Sequence, residues 1–293
     1  HLTAPGTCAQ PPVWQCPPYN YLRDFKKEYR LGKCIGRGGY SAVYKGTRKA
    51  DKLQVRCHVC LWNEVPTSIP NSDFLTCVLL SALHLCWVCE APSCPAIISL
   101  LDWLRDSSRV VLVMELPEPC VNLFRFIRQC GGALEEDQAR RIFQQVLVAV
   151  QHCHARGVFH RDLKTLNILI QTSTEKAKVI DFGSSSSFHD GHYQSFHGEH
   201  RSSRVSPPEC VQEKGYQAVP TTAWSLGVML YHMVSGGAPI NFVHLQVISL
   251  TSPPECRDLI QKCLAVNPEQ RPTIEEIACH VWLRRDHLGG NSP

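Results

Sequence analysis

The sequence predicts an α+β chain of two unequal lobes, a small sheet-rich lobe followed by a larger, mainly helical one. Three observations carry this. From Tyr29 to about Cys60 short β-type runs alternate with glycine, and "RVVLVMEL" (109–116) adds a further apolar strand pattern. Beyond it, Ala139, Ile142, Phe143, Val146, Leu147, Val150 and Cys153 recur at steps of three and four, which gathers them on one helix face. The chain has 293 residues and is 44% hydrophobic, enough for a substantial core.

Taken in order, residues 1–24 hold several prolines, among them Pro11, Pro12, Pro17 and Pro18, and no sustained periodicity, which predicts a flexible lead-in. The small lobe is expected over 25–115, the large one over 116–284, and a tail over 285–293. Residues 53–60 read as a strand. Phe74–Cys89 is the longest uncharged apolar run; it is short for a bilayer span, contains Thr76, Ser81 and His84, and reads as a buried helix. Ser72 and Asp73 suit its N-terminal cap. Trp224–Val234 and Asp258–Ala265 read as further helices, and the chain has no internal repeat.

The 30 basic and 26 acidic residues leave a formal charge of +4 with no Lys/Arg block, so neither nucleic acid nor a membrane surface is expected as a partner. The N-terminus has no initiator Met and no basic start with an apolar core. A fragment without a signal peptide is the expectation, in a soluble intracellular monomer of the cytoplasm, with the nucleus as a second compartment. The 16 cysteines are scattered through apolar runs and read mostly as buried, reduced thiols. Cys57, Cys60, Cys86 and Cys89 have the outline of a four-thiolate zinc site. Positions three apart on a strand face opposite sides, which argues against it.

"GRGGYSAV" (36–43) has the composition of a turn whose bare backbone N–H groups can approach phosphate oxygens. "HRDLKTLN" (160–167) sets Asp162, Lys164 and Asn167 at fixed offsets after an amphipathic helix and before the apolar strand "ILI". "DFG" follows at 181–183 and "PPE" at 207–209.

With these motifs the chain resembles the protein kinase family, and within it the Pim group of serine/threonine kinases. The Pim likeness rests on "ELPEP" (115–119), "QHCHARGVFHRD", "SPPE", "WSLGVMLYHMVSGGAP" and "CLAVNPEQRPTIEEI", and covers about Tyr29 to Trp282. The resemblance implies a bilobal kinase fold, ATP and Mg²⁺ as cofactors, and a protein substrate with a Ser/Thr acceptor. It implies that Asp162 accepts the substrate hydroxyl proton, Lys164 steadies the γ-phosphate, and Asn167 and Asp181 hold magnesium. Nucleotide contacts would come from Ile35, Gly36, Gly38, Gly39 and Val43 of the loop, Arg56 and His58 of the third strand, and Met114 and Glu115 at the hinge. His160, Arg161, Phe182, Glu209 and Arg271 would be architectural, the last two as a buried ion pair.

The pattern breaks on the third strand. "VRCH" (55–58) stands where the family has VAIK, so His58 replaces the phosphate-gripping Lys, and Thr76 stands where that Lys finds its Glu. Imidazole is shorter than a lysine side chain and mostly neutral near pH 7. Asp73, one turn before Thr76, either substitutes for the Glu or caps the helix. Arg56 replaces a small Ala on the same face as His58; it either fills the adenine space or supplies the missing charge. Ser41 stands at the third glycine of the loop. The activation segment is longer than the Pim pattern and Ser-rich, with Ser195, Ser202 and Ser203 as phosphorylation candidates. Thr165, Leu166 and Asn122 replace Pim acids, which puts the preference for basic substrates in question. Two readings follow: a kinase weakened at His58 and Thr76, or a catalytically dead pseudokinase acting as scaffold or competitor.

Overall fold

The computed structural model describes residues 24–37, 41–61, 71–105, 109–189, 191, 193, 206–211, 215–235 and 253–284, without the side chains of 71–77 and 211. A one-turn helix, α1 (Phe25–Glu28), leads into strands β1 (Tyr29–Arg37), β2 (Ser41–Arg48) and β3 (Gln54–Leu61). Helix α2 (Asn71–Cys89) follows, then β4 (Leu100–Arg105) and β5 (Arg109–Glu115). The five strands form one antiparallel sheet in the order β1-β2-β3-β5-β4.

The alternating apolar sequence of β3 gives the sheet two unlike faces. Val55, Cys57 and Val59 are buried with Leu104, Val111 and Val113 in an outer core, under Phe25 and Tyr29. Arg56 and His58 lie on the other face, beside Met114 and Leu112, which belong to the large core shared with the helical lobe. Cys57 and Cys60 therefore face opposite ways and do not converge.

The second lobe opens with β6 (Cys120–Asn122), α3 (Leu123–Gln129) and α4 (Glu136–Ala155). All seven residues expected on one face of α4 are buried. Glu136 and Asp137 in its first turn suit the helix dipole, and Gly157, at φ +72°, ends it in the left-handed region. The short strands β7 (Val158–Phe159), β8 (Ile168–Gln171), β9 (Lys176–Val179) and β10 (Ser186–Ser187) carry the loops between them. Helices α5 (Pro208–Val211), α6 (Ala218–Val234), α7 (Pro254–Cys263), α8 (Ile274–Ala278) and α9 (Val281–Arg284) complete it. Gly227 lets α6 and α7 meet closely, since a Cβ there would stand 2.7 Å from Cys263 Cβ.

Four expectations need correction. Helix α2 begins at Asn71, so Ser72 and Asp73 lie within its first turn and not at its cap; their side chains, with that of Thr76, are outside the described residues. The helix around 218–234 starts six residues before Trp224, because "AVPTTA" is apolar and small enough to continue the buried face. The helix expected over 258–265 runs from Pro254 to Cys263, started by proline in its first turn and capped at Leu264. Of the thirteen cysteines described, all free thiols, six are buried, five intermediate and two exposed, so burial is less general than the apolar context predicts. Among the described residues no helix is long and apolar enough to cross a membrane.

Helix α2 rests on the segment after β9 through Ser81 Oγ, which donates to the Gly183 carbonyl at 3.2 Å, and His84, whose Nδ1 is 2.9 Å from Ser185 Oγ. His84 is 1% exposed, and burial pushes its pKa down to about 4. Its folded pKa is below the unfolded value, so the unfolded chain binds the proton first as pH falls. Urea denaturation is therefore expected to show stability falling from about pH 6.5 to about pH 4. His84→Gln is expected to flatten part of that slope.

Candidate active site

The site is assembled from the β7–β8 loop, the turn after β9 and the inner face of the sheet. His160, fully enclosed, donates Nε2–H to the Ile180 carbonyl at 3.1 Å and lies against the Phe182 ring, with centroids 4.8 Å apart. That contact ties the loop to the turn that follows β9. Arg161 holds φ +67° and donates from Nε and Nη2 to Tyr216 Oη at 3.0 and 2.5 Å. A one-turn 3-10 helix over Thr165–Asn167 then delivers the chain into β8.

These constraints bring the three predicted residues together. Asn167 is buried, and its Nδ2 donates to both the Asp162 carbonyl and Asp162 Oδ2 at 2.8 Å. Lys164 Nζ reaches Asp162 Oδ1 and Oδ2 at 2.9 and 2.6 Å. The Asp162 carboxylate is thus fixed in direction and kept as an acceptor.

Asp181 adopts φ +67°, ψ +75°, and its Oδ1 accepts from Gly183 N at 3.2 Å, while Phe182 is buried in the large core. Asn167 spends its amide hydrogens on Asp162, which leaves Oδ1, and Asp181 retains Oδ2. Two such hard oxygen donors fit a magnesium ion.

On the sheet, β2–β3 register pairs Val43 with His58 and Lys45 with Arg56, and β3–β5 register pairs Arg56 with Met114. Val43, Arg56, His58 and Met114 therefore share the face towards Asp181. Burial pulls the Arg56 guanidinium below its usual pKa, against the opposing pull of Cys120 and Asp181. Burial also holds His58 below the ordinary imidazole range, again opposed by Asp181 and assisted by Arg56. Arg56 and Lys45 are the cations of this face, Lys45 being paired with Glu118, while burial disfavours a charge on His58.

Two departures noted separately in the sequence meet here. His58 Nε2 lies 2.8 Å from Ser41 Oγ, so the residue at the Lys position is engaged by the residue at the third loop glycine. Only the hairpin register, with Ser41 opposite Cys60, makes this contact visible. Glu115, at the hinge, pairs its carboxylate with Lys178 at 2.7 Å and accepts from Ser99 N at 2.7 Å, while its own N–H donates to the Ser99 carbonyl at 3.0 Å. Sequence reading also missed Lys45, which forms an ion pair with Glu118 across the hinge. Ile35 is exposed on β1 and Gly36 pairs with Val43; Gly38 and Gly39 lie outside the described residues, as do Ser195, Ser202 and Ser203.

Thr165 is buried with Oγ1 3.2 Å from His232 Nδ1, Leu166 is exposed, and Asn122 caps α3 by accepting from Arg125 N at 2.9 Å. Arg271 and Glu209 form the expected pair, bidentate at 2.6 and 2.8 Å.

A profile of the protein kinase domain matches residues 29–283. The chain is 39% identical to serine/threonine-protein kinase pim-2 of Danio rerio over 282 residues, 90% of this chain and 87% of that protein. It is 33% identical to serine/threonine-protein kinase prk-2 of Caenorhabditis elegans, over 90% of this chain and 60% of that protein. With sperm motility kinase 2B of Mus musculus it shares 32%, over 89% of this chain and 53% of that protein. The catalytic loop, the DFG turn and the two-lobed sheet-and-helix architecture agree with these matches, and the chain belongs to the protein kinase family, with a Pim-like sequence.

Proposed function

We propose that this chain is an ATP-dependent serine/threonine protein kinase of weakened activity. The observation that carries the reading is the fixed Asp162 carboxylate, held by Lys164 and Asn167 as a proton acceptor. In this reading Asp162 takes the proton of the substrate Ser/Thr hydroxyl as the oxygen attacks the γ-phosphorus. Lys164, whose Nζ lies against both Asp162 oxygens, is read as steadying the γ-phosphate. Asn167 orients Asp162 and, with Asp181, offers the oxygens for magnesium, which when bound neutralises charge on the ATP phosphates. Arg56, on the inner face, supplies the cation that His58 does not.

Phosphoryl transfer depends on positioning and charge stabilisation, and losing one such contact costs about 10²–10³ in rate. Arg56→Ala is therefore expected to lower kcat/KM for ATP by about that factor. His58→Lys paired with Thr76→Glu is expected to raise it, read by radiolabelled phosphate transfer to a Ser/Thr peptide library. Unchanged activity in both variants would remove the assigned phosphate grip.

The substrate preference is proposed to be less basic than in Pim kinases, since Leu166 is apolar and exposed, Thr165 is buried and Asn122 caps a helix. The same peptide library reads this directly.

One observation favours the second reading, a pseudokinase scaffold. His58, where burial disfavours a charge, is committed to Ser41, and Arg56 occupies the small-residue position beside Met114. Thermal melting against Mg·ATP separates the two. A magnesium-dependent rise supports the kinase, since a ligand of the folded state stabilises by RT ln(1 + [L]/Kd), and no shift at millimolar nucleotide supports the scaffold.

A further inference from the structure

Helix α2 sends two polar side chains into the interior, and both end on the turn that carries Asp181. Its inward residues are otherwise apolar, with Ala82, Leu85 and Val88 in the large core. Ser81 and His84, three residues apart and so on one side of the helix, are buried among them. A buried polar group is costly unless it is hydrogen-bonded, so the partners of these two carry the question of what they do.

Ser81 Oγ donates to the Gly183 carbonyl, and His84 Nδ1 meets Ser185 Oγ. The direction of the second bond follows from its neighbour. Ser185 Oγ spends its one hydrogen on the Phe182 carbonyl at 2.7 Å, so it accepts from His84, and Nδ1 carries the imidazole proton. The other ring nitrogen, Nε2, is buried and has no hydrogen-bond partner among the described residues. The Trp87 ring stands edge-on to the imidazole, with centroids 5.4 Å apart. His84 is thus held by an aromatic wall and makes one directed bond, to the turn.

The turn needs a hold of this kind. Asp181, at φ +67°, lies in the left-handed region, which a residue with a side chain keeps only where its surroundings impose it. From within, Gly183 N donates to Asp181 Oδ1 and Ser185 N to the Phe182 carbonyl at 3.0 Å. From outside, Ser81 and His84 fasten both ends of Gly183–Ser185 to α2. On the other side Ile180 N donates to the Asn167 carbonyl at 2.9 Å, which sets the turn beside the second magnesium donor. Strand β3 contains no lysine to tie α2 to the site, and its His58 is engaged by Ser41.

We propose that His84, seconded by Ser81, is a positioning residue for magnesium. By holding Gly183–Ser185 against α2 it keeps the Asp181 carboxylate presented beside Asn167. His84 acts through Ser185 and is not itself a ligand. The assignment deepens the kinase reading and rests on it. A histidine that served packing alone would lower stability when replaced and leave the magnesium-dependent part of nucleotide binding as it was.

The test is thermal melting of the full chain against ATP, run once with excess magnesium and once with chelator, beside hydrogen exchange of residues 181–187 without nucleotide. His84→Leu removes the donor. It is expected to weaken Mg·ATP binding about ten-fold, the low end for a residue that orients a metal ligand, and to leave binding in chelator unchanged. Ser185→Ala removes the acceptor at a half-buried position; it is expected to do the same, and it keeps the test available if His84→Leu does not fold. In both variants the Gly183 and Ser185 amides are expected to exchange about five-fold faster, the equivalent of one hydrogen bond. His84→Asn, whose side-chain N–H can stand in for Nδ1–H, is expected to restore both readings. Unchanged exchange, unchanged Mg·ATP affinity, or an equal loss with and without magnesium overturns the assignment and leaves the kinase reading standing. A parent chain with no magnesium-dependent shift removes the kinase reading, and the assignment falls with it.

Discussion

Asp162→Asn is expected to lower kcat by about 10²–10⁴-fold, the usual contribution of a positioned general base. The amide cannot accept the hydroxyl proton, and it also breaks the local charge balance. Lys164 now donates to both carboxylate oxygens and Asn167 Nδ2 to one of them. An amide offers one acceptor oxygen in place of two. Asp162 is not on the inner face of the sheet with Arg56 and Met114, so the nucleotide-dependent melting shift should be retained. That combination, lost turnover with retained Mg·ATP stabilisation, distinguishes a catalytic base from a residue that only supports the fold. Transfer equal to the parent's would remove Asp162 from the proposed role.

The largest expected effect on stability comes from Arg271→Ala. The Arg271 side chain is 0% exposed and that of Glu209 14%. Beyond the bidentate pair, Arg271 donates to the Ala265 and Pro220 carbonyls at 2.9 and 3.0 Å, and its guanidinium lies 4.7 Å from the Trp224 ring centroid. Truncation strands a buried carboxylate and leaves carbonyls without donors. Breaking such a pair from one side costs about 3–5 kcal/mol. Urea denaturation should show that loss. Glu209→Ala with Arg271→Ala should cost less than the sum of the two single changes, since each removes the charge the other strands. A loss below about 1 kcal/mol would mark the pair as solvent-relaxed and not buried.

Much of the site was legible because it is local. Asp162, Lys164 and Asn167 fall within six residues, and a loop closed by a 3-10 turn has few ways to arrange them. The same holds for α4, where the three- and four-residue steps selected seven residues that are all buried. Strand β3 announced its two faces by alternation, so Arg56 and His58 were correctly placed on one side. Boundaries were less legible. Asn71 opens α2 ahead of the better cap residues Ser72 and Asp73, and Pro254 starts α7 four residues before Asp258, where the sequence reading began it.

By itself the sequence determined the family, the grouping of Asp162, Lys164 and Asn167 and the loss of the third-strand lysine, since each is written in residues close together along the chain. Only the tertiary structure decided how that loss is accommodated. Ser41 and His58 meet across a hairpin, Glu115 turns its carboxylate to Lys178, and Lys45 reaches Glu118 over the hinge. Such contacts depend on strand register and on how two faces close. Both are set by packing over the whole core, and no short window of sequence contains that information.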